Sequence, residues 1–337
     1  MQYGHVCIPI EILEHECAAL LQIEKEKITS EIEALALLSR VEIQMDEAGG
    51  RVVYLSYLYH CEQFIAKRLR FLRGERYPLD EKNFEISLRQ FASVTGCVLN
   101  EDQTKAVRIA GENGVTVITG GPGTGKTTII RALVSFLSSC NKRCLLAAPT
   151  GRAAKRMTEA CGIQAKTIHR LLEFSGDDAD DDTELTFKRD ERNPIEADVL
   201  IIDELSMVDT LLMYHLLKAL PDRIQLILVG DKDQLPSVGP GNVFKELIDS
   251  GIEPTDIKSV TFIASTLQDN KILMEKDPSY MANLKALPIV EKERLLYGNW
   301  KIKAAAGLFY QRTQVTMIET LPNDIYLWAR GWDLAAT

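Results

Sequence analysis

Residues Val115 to Leu137 read VTVITGGPGTGKTTIIRALVSFL. An apolar run of β-formers ends in a glycine-rich turn, and the turn opens directly into an amphipathic helix. Gly120, Gly125, Lys126 and Thr127 stand in the order G-x-x-x-x-G-K-[ST], which requires that strand before it and that helix after it. Glycines let backbone N–H groups curl around phosphate oxygens, and a helix start adds positive potential there. A lysine at the position of Lys126 reaches the β and γ phosphates, and Thr127 offers Mg²⁺ a hydroxyl. A glycine-rich turn with a chance lysine would lack those flanks. The expected nucleotide-binding set is Gly120, Gly121, Pro122, Gly123, Thr124, Gly125, Lys126, Thr127 and Thr128.

Downstream, the runs CLLAA, DVLIID and IQLILVG repeat the pattern of VTVIT: short, continuously apolar and separated by helical stretches. Continuous apolarity fits strands buried on both faces, so the fold class, with the P-loop, is α/β with a parallel sheet. In ADVLIIDELSMVD the strand ends in Asp203 and Glu204. A carboxylate there lies beside the P-loop and can hold Mg²⁺, while its neighbour can polarise an attacking water. Two acidic residues after a strand also suit a helix cap, but the P-loop upstream favours hydrolysis. LVGDKDQLPSVGPG follows the next strand and brings Asp231 and Gln234 to the same edge. A glutamine there can sense the γ-phosphate or the attacking water, although the stretch is also a credible polar turn. Lys126, Glu204 and Gln234 are the expected catalytic residues.

Ahead of this sheet, residues 8–22 and 28–38 show helical spacing, and VEIQMDEAGGRVVYL reads as two strands around a Gly-Gly turn. The sum is a small winged-helix-like unit. In CEQFIAKRLRFLRGER an apolar stripe of Phe64, Ile65, Leu69 and Leu72 is accompanied by Lys67, Arg68, Arg70, Arg73 and Arg76. That pattern favours a solvated face over a DNA-facing one. Asp177, Asp178, Asp180, Asp181 and Asp182 lack the glycine and terminal glutamate of a calcium loop and read as a solvated loop.

The net charge of −9 neither supports nor excludes a nucleic-acid partner, since basic residues can be confined to one groove. Seven cysteines without a C-x-x-C pair read as free thiols in a reducing compartment. With no secretory signal and no membrane-length apolar run, the expectation is a cytoplasmic protein with no membrane partner.

Together, NEDQTKAV, GGPGTGKTT, AAPTGRAAKRM, KTIHRLL, DVLIIDELSMVD and VGDKDQLPSVGPGNVFKELI resemble the ordered motifs of superfamily 1 DNA helicases, most nearly the RecD-like family. The resemblance runs from about Gly4 to Gly251. It implies ATP hydrolysis with Mg²⁺ coupled to 5′ to 3′ movement on single-stranded DNA. By the same resemblance Gln103 recognises adenine, Lys126 and Thr127 hold phosphate and magnesium, Asp203 and Glu204 serve metal and water, and Gln234 senses the γ-phosphate. Pro149, Thr150, Gly151 and Arg152, with Thr167 and His169, match segments that lie along the single strand. A lone histidine, read on its own, is more often structural.

After Gly251 the family would continue with a segment containing an IFRQ-type arginine and later an ALTRA motif, and neither occurs in this sequence. TFIASTLQDNKIL, DPSYMANLKALP, RLLYGNW and RGWDLAAT instead resemble the linker and nuclease start of the phage terminase large subunit. Asp333 matches a metal-binding aspartate there. Two-metal hydrolysis needs several carboxylates, so no nuclease activity is expected; an unrelated helical extension is the other reading. The expected domains are 1–92, winged-helix-like and helical; 93–252, the RecA-like motor; and 253–337, a truncated α/β tail. Partners implied are single-stranded DNA and either a second RecA-like domain or phage packaging proteins. A packaging ATPase, or a nucleotide-dependent DNA-binding module without unwinding, are the alternatives to a helicase.

Overall fold

The computed structural model describes residues 5–46, 49–121, 123–174, 187–232, 234 and 237–249. Pro122, the acidic run from Asp177 to Asp182, and the terminase-like stretch with Asp333 lie outside the described residues.

The chain opens with β1 (Cys7–Pro9), α1 (Ile10–Leu21), α2 (Lys25–Leu37), β2 (Val41–Met45) and β3 (Arg51–Leu55). The strands form an antiparallel sheet of order β1-β3-β2. The first helix starts at Ile10 rather than Ile8 because Pro9, with no N–H and a fixed φ, ends a strand and caps the helix. Ile10, Ile28, Ile32 and Val53 make a small core of their own.

The second sheet is built from β4 (Val115–Thr119), β5 (Cys144–Ala148), β6 (Ala165–Thr167), β7 (Val199–Ile202) and β8 (Gln225–Gly230). All pairings are parallel, in the order β4-β8-β7-β5-β6. Between and around the strands run α3 (Ser56–Gly74), α4 (Glu81–Thr95), α5 (Glu101–Glu112), α6 (Lys126–Ser139), α7 (Gly151–Cys161), α8 (Ile168–Leu171), α9 (Thr210–Lys218) and α10 (Val243–Asp249). One face of the sheet, with Val117, Leu200, Ile202 and Leu228, packs on α3, α8, α9 and α10. The other, with Ile118, Val199, Ile201 and Val229, packs on α4 to α7. Two covered faces are why these strands read as unbroken apolar runs. Each fully buried branched side chain contributes about 1.5–3 kcal/mol. β6 was not legible as a strand, being three partly exposed residues at the sheet's edge.

α3 joins the two sheets. Its Ile65, Leu69 and Leu72 belong to the larger core, and Phe64 meets Tyr214 of α9 edge to face at 5.1 Å. Arg68 differs from the solvated residue expected: its guanidinium donates to the carbonyls of Leu220 (2.9 Å) and Pro221 (2.7 Å) and pairs with Asp222 at 3.1 Å. The carbonyls just after α9 need donors, and Arg68 supplies them. α4, capped by the Asp80 carboxylate, lies on α6 with Phe84 against Phe136 at 5.1 Å. The boundary expected between residues 92 and 93 falls inside α4.

Candidate active site

Because the five strands are parallel, their carboxyl ends share one edge, where loops can meet a ligand. The order places the loops after β4, β8 and β7 side by side, and those after β5 and β6 next to them.

After β4 the chain turns through Gly123 and Gly125, both in the left-handed region at φ 76° and 88°, and α6 begins at Lys126. A Cβ on Gly125 would stand 2.4 Å from the side-chain amide nitrogen of Gln103 and displace it, and the positive φ suits position 125 to glycine. Thr124 is buried and its hydroxyl donates to the Gly121 carbonyl at 2.9 Å. The Lys126 ammonium donates to the carbonyls of Gly120 and Gly121, folding back over the loop it would share with phosphates. Gln103 reaches the loop from the start of α5, where it forms a capping box: Asn100 Oδ1 accepts from the Gln103 N–H at 2.7 Å, and the Asn100 N–H donates to Gln103 Oε1 at 3.2 Å. That reciprocal pair sets the side chain's direction. Thr128 follows Thr127 in the first turn of α6.

Asp203 follows β7 directly and its Oδ1 accepts from the Glu204 N–H at 2.9 Å. Burial raises its pKa above the ordinary aspartate value, against the lowering effect of that backbone bond. Glu204 is left-handed at φ 56°, a conformation that costs a side-chain-bearing residue about 1–2 kcal/mol. Its Oε2 is buried with no hydrogen-bond partner among the described residues, and its Oε1 lies 3.9 Å from Arg156 Nη1. Glu204 thus combines a strained backbone with an orphaned carboxylate oxygen. Thr127, Asp203, Glu204 and Arg156 line one cavity of about 350 Å³ between α6 and α7. Its donors, one hydroxyl and one or two carboxylates, suit Mg²⁺, which takes few protein ligands and completes its shell with water and phosphate oxygens. Gln234 joins this end through Ser206, whose hydroxyl donates to Gln234 Oε1 at 3.2 Å.

At the other end, Ala148 pairs in register with Thr167, so the segments after β5 and β6 are neighbours. Thr150 follows Pro149 and caps α7, its hydroxyl accepting from the Ala153 N–H at 3.2 Å; Gly151 and Arg152 open the helix. Thr167 caps α8 in the same way, accepting from the Arg170 N–H at 3.2 Å. His169 stands among aromatic rings, 6.0 Å from Phe174 and 6.1 Å from Phe187, and Phe187 in turn contacts His215 at 4.9 Å.

Sequence reasoning missed three participants. Asn100 was visible in principle as N-x-x-Q before a helix. Arg156 lies one helical turn beyond Arg152 and had no motif role. Ser206 sits in a short 3-10 turn that no periodicity announces. Among the described residues no helix is long and apolar enough to cross a membrane.

Residues 103–240 match the AAA domain family. The chain is similar to the RecBCD enzyme subunit RecD of Mycolicibacterium smegmatis, 38% identical over 172 residues, 44% of this chain and 30% of that protein. It is similar also to the ATP-dependent RecD2 DNA helicase of Deinococcus radiodurans, 39% identical over 193 residues, 57% of this chain and 26% of that one. The chain thus spans about a third or less of the length of these relatives.

Proposed function

We propose, from the match of residues 103–240 to the AAA domain family and the likeness of the chain to RecD and RecD2, that this chain binds and hydrolyses ATP in a cycle coupled to movement along single-stranded DNA. The observation that carries this reading is the meeting of Thr127, Asp203 and Glu204 in one cavity at the foot of the P-loop.

In this reading the backbone amides of the loop from Gly120 to Gly125 and the first turn of α6 receive the phosphates. Lys126 leaves the carbonyls of Gly120 and Gly121 for the β and γ phosphates. Thr127 and Asp203 would hold Mg²⁺, which would draw charge from the phosphate oxygens. The unpaired Oε2 of Glu204 takes a proton from the attacking water, and Gln234, steadied by Ser206, sits where the γ-phosphate is gained and lost. Gln103 reads the adenine edge. Pro149, Thr150, Gly151, Arg152, Thr167 and His169 receive the single strand at the adjoining end of the sheet. The cycle calls for a second RecA-like domain, since an arginine delivered across the nucleotide is worth about 10³–10⁵ in rate.

The test compares the full chain with Lys126→Ala. Expected are binding of a fluorescent ATP analogue, hydrolysis stimulated by oligothymidine, and unwinding of a duplex with a 5′ tail once a second motor domain is present, with nucleotide binding lost in the variant. Failure of the unmodified chain to bind the analogue would sink the reading.

A further inference from the structure

Arg156, which lies within AAPTGRAAKRM without an assigned role, stands out among the described cations because its neighbour is the proposed hydrolytic carboxylate. Its Nη1 lies 3.9 Å from Glu204 Oε1, while Glu204 Oε2 is buried without a hydrogen-bond partner among the described residues, and both side chains line the same cavity. Glu204 is therefore pulled by one oxygen toward α7. The backbone of Glu204 is already in the left-handed region, so its side chain is aimed by the main chain and its final direction rests on what it meets. That pull opposes use of Glu204 as a proton acceptor at the P-loop.

The helix that carries Arg156 is eleven residues long and begins at Gly151, capped by Thr150. Thr150, Gly151 and Arg152 are the residues assigned above to the single strand, and Arg152 and Arg156 lie one turn apart on it. A strand that engages the start of α7 therefore acts on the same rigid element that holds Glu204.

We propose that Arg156 is a positioning residue: it holds Glu204 toward α7 in the absence of DNA, and single-stranded DNA at the start of α7 relaxes that hold. The inference rests on the ATPase reading above and specifies how its two ends communicate. The Arg156 side chain is 70% exposed and that of Glu204 19%, so the pair is partly screened and its effect is modest.

The experiment is single-turnover hydrolysis of radiolabelled ATP by the full chain, with and without oligothymidine, for the unmodified protein, Arg156→Ala and Arg156→Lys. Affinity for a fluorescent ATP analogue and for the oligonucleotide is measured beside it. Arg156→Ala is expected to raise the DNA-free rate about three- to fivefold, the scale of a partly exposed ion pair, and to leave the DNA-stimulated rate and the analogue affinity unchanged. Arg156→Lys keeps the low DNA-free rate. Added salt raises the DNA-free rate of the unmodified protein and not that of Arg156→Ala, because only the former has a pair to screen. An unchanged or lower DNA-free rate in Arg156→Ala, or an equal rise with and without DNA, overturns this inference while the ATPase reading stands. Loss of analogue binding by the unmodified chain overturns both.

Discussion

The two ends of the parallel sheet's carboxyl edge are built on opposite terms. At the β4, β7 and β8 end one carboxylate oxygen, Glu204 Oε2, is left unsatisfied among the described residues. Glu204 is left-handed with one oxygen unpartnered, Asp203 is desolvated, and Lys126 rests on the carbonyls of its own loop. At the β5 and β6 end the corresponding polar residues are spoken for, with Thr150 and Thr167 each closing the first turn of a helix. At the first end Glu204 Oε2 therefore has no structural partner to give up among the described residues. Residues of the second end would serve a ligand and the fold together, so function and stability separate at one end and travel together at the other.

The sharpest break of this contrast comes at Glu204. Replacing it with Gln should lower hydrolysis by about a hundredfold or more, as loss of a general base does, without lowering the melting temperature. Glu204→Gly should raise that temperature, since glycine bears the left-handed backbone without its roughly 1 kcal/mol cost. A loss of stability in both variants, read by thermal melting alongside ATPase rates, would erase the distinction. At the opposite end, Thr150→Ala should cost about 1 kcal/mol in a urea melt through the lost helix cap and weaken oligonucleotide binding at the same time, with Thr150→Ser restoring both. Full stability in Thr150→Ala would place this end with the first.

The smallest effect is a pH dependence. Burial lifts the Asp203 pKa, so its folded form retains a proton where an unfolded aspartate has lost it. The stabilising contribution is complete below the unfolded value and is lost as pH rises through the raised one. Mg²⁺ needs the ionised carboxylate, so Mg²⁺-dependent nucleotide affinity should weaken as pH falls through the same raised value. Stability and metal binding then respond to acid in opposite senses, and Asp203→Asn should flatten both profiles. A calorimetric titration of the Mg²⁺ complex across mildly acidic pH, paired with melting curves, reads both.

The contrast also explains what was legible. Four strands of the motor were readable because burial on both faces writes an unbroken apolar run, as in VLII of β7. β6, with Lys166 exposed in its middle, writes nothing of the kind. Within the P-loop, each glycine and the lysine answer to a fixed ligand geometry, so spacing alone identifies them. Arg156 and Ser206 answer to a neighbour distant in sequence, Glu204 and Gln234 respectively, and such pairings leave no local trace. Arg68 is the same case in the opposite direction: a cation that looks solvated becomes structural once the carbonyls after α9 arrive beside it.

β3 ends at Leu55 and α3 starts at Ser56, and α3 is riveted to the motor by Arg68 and by its apolar stripe. Among the described residues the small antiparallel sheet thus passes into the parallel-sheet unit with no linker between them. In mechanical terms β3 and α3 make one beam, so a displacement of the larger sheet would be carried directly to the smaller one.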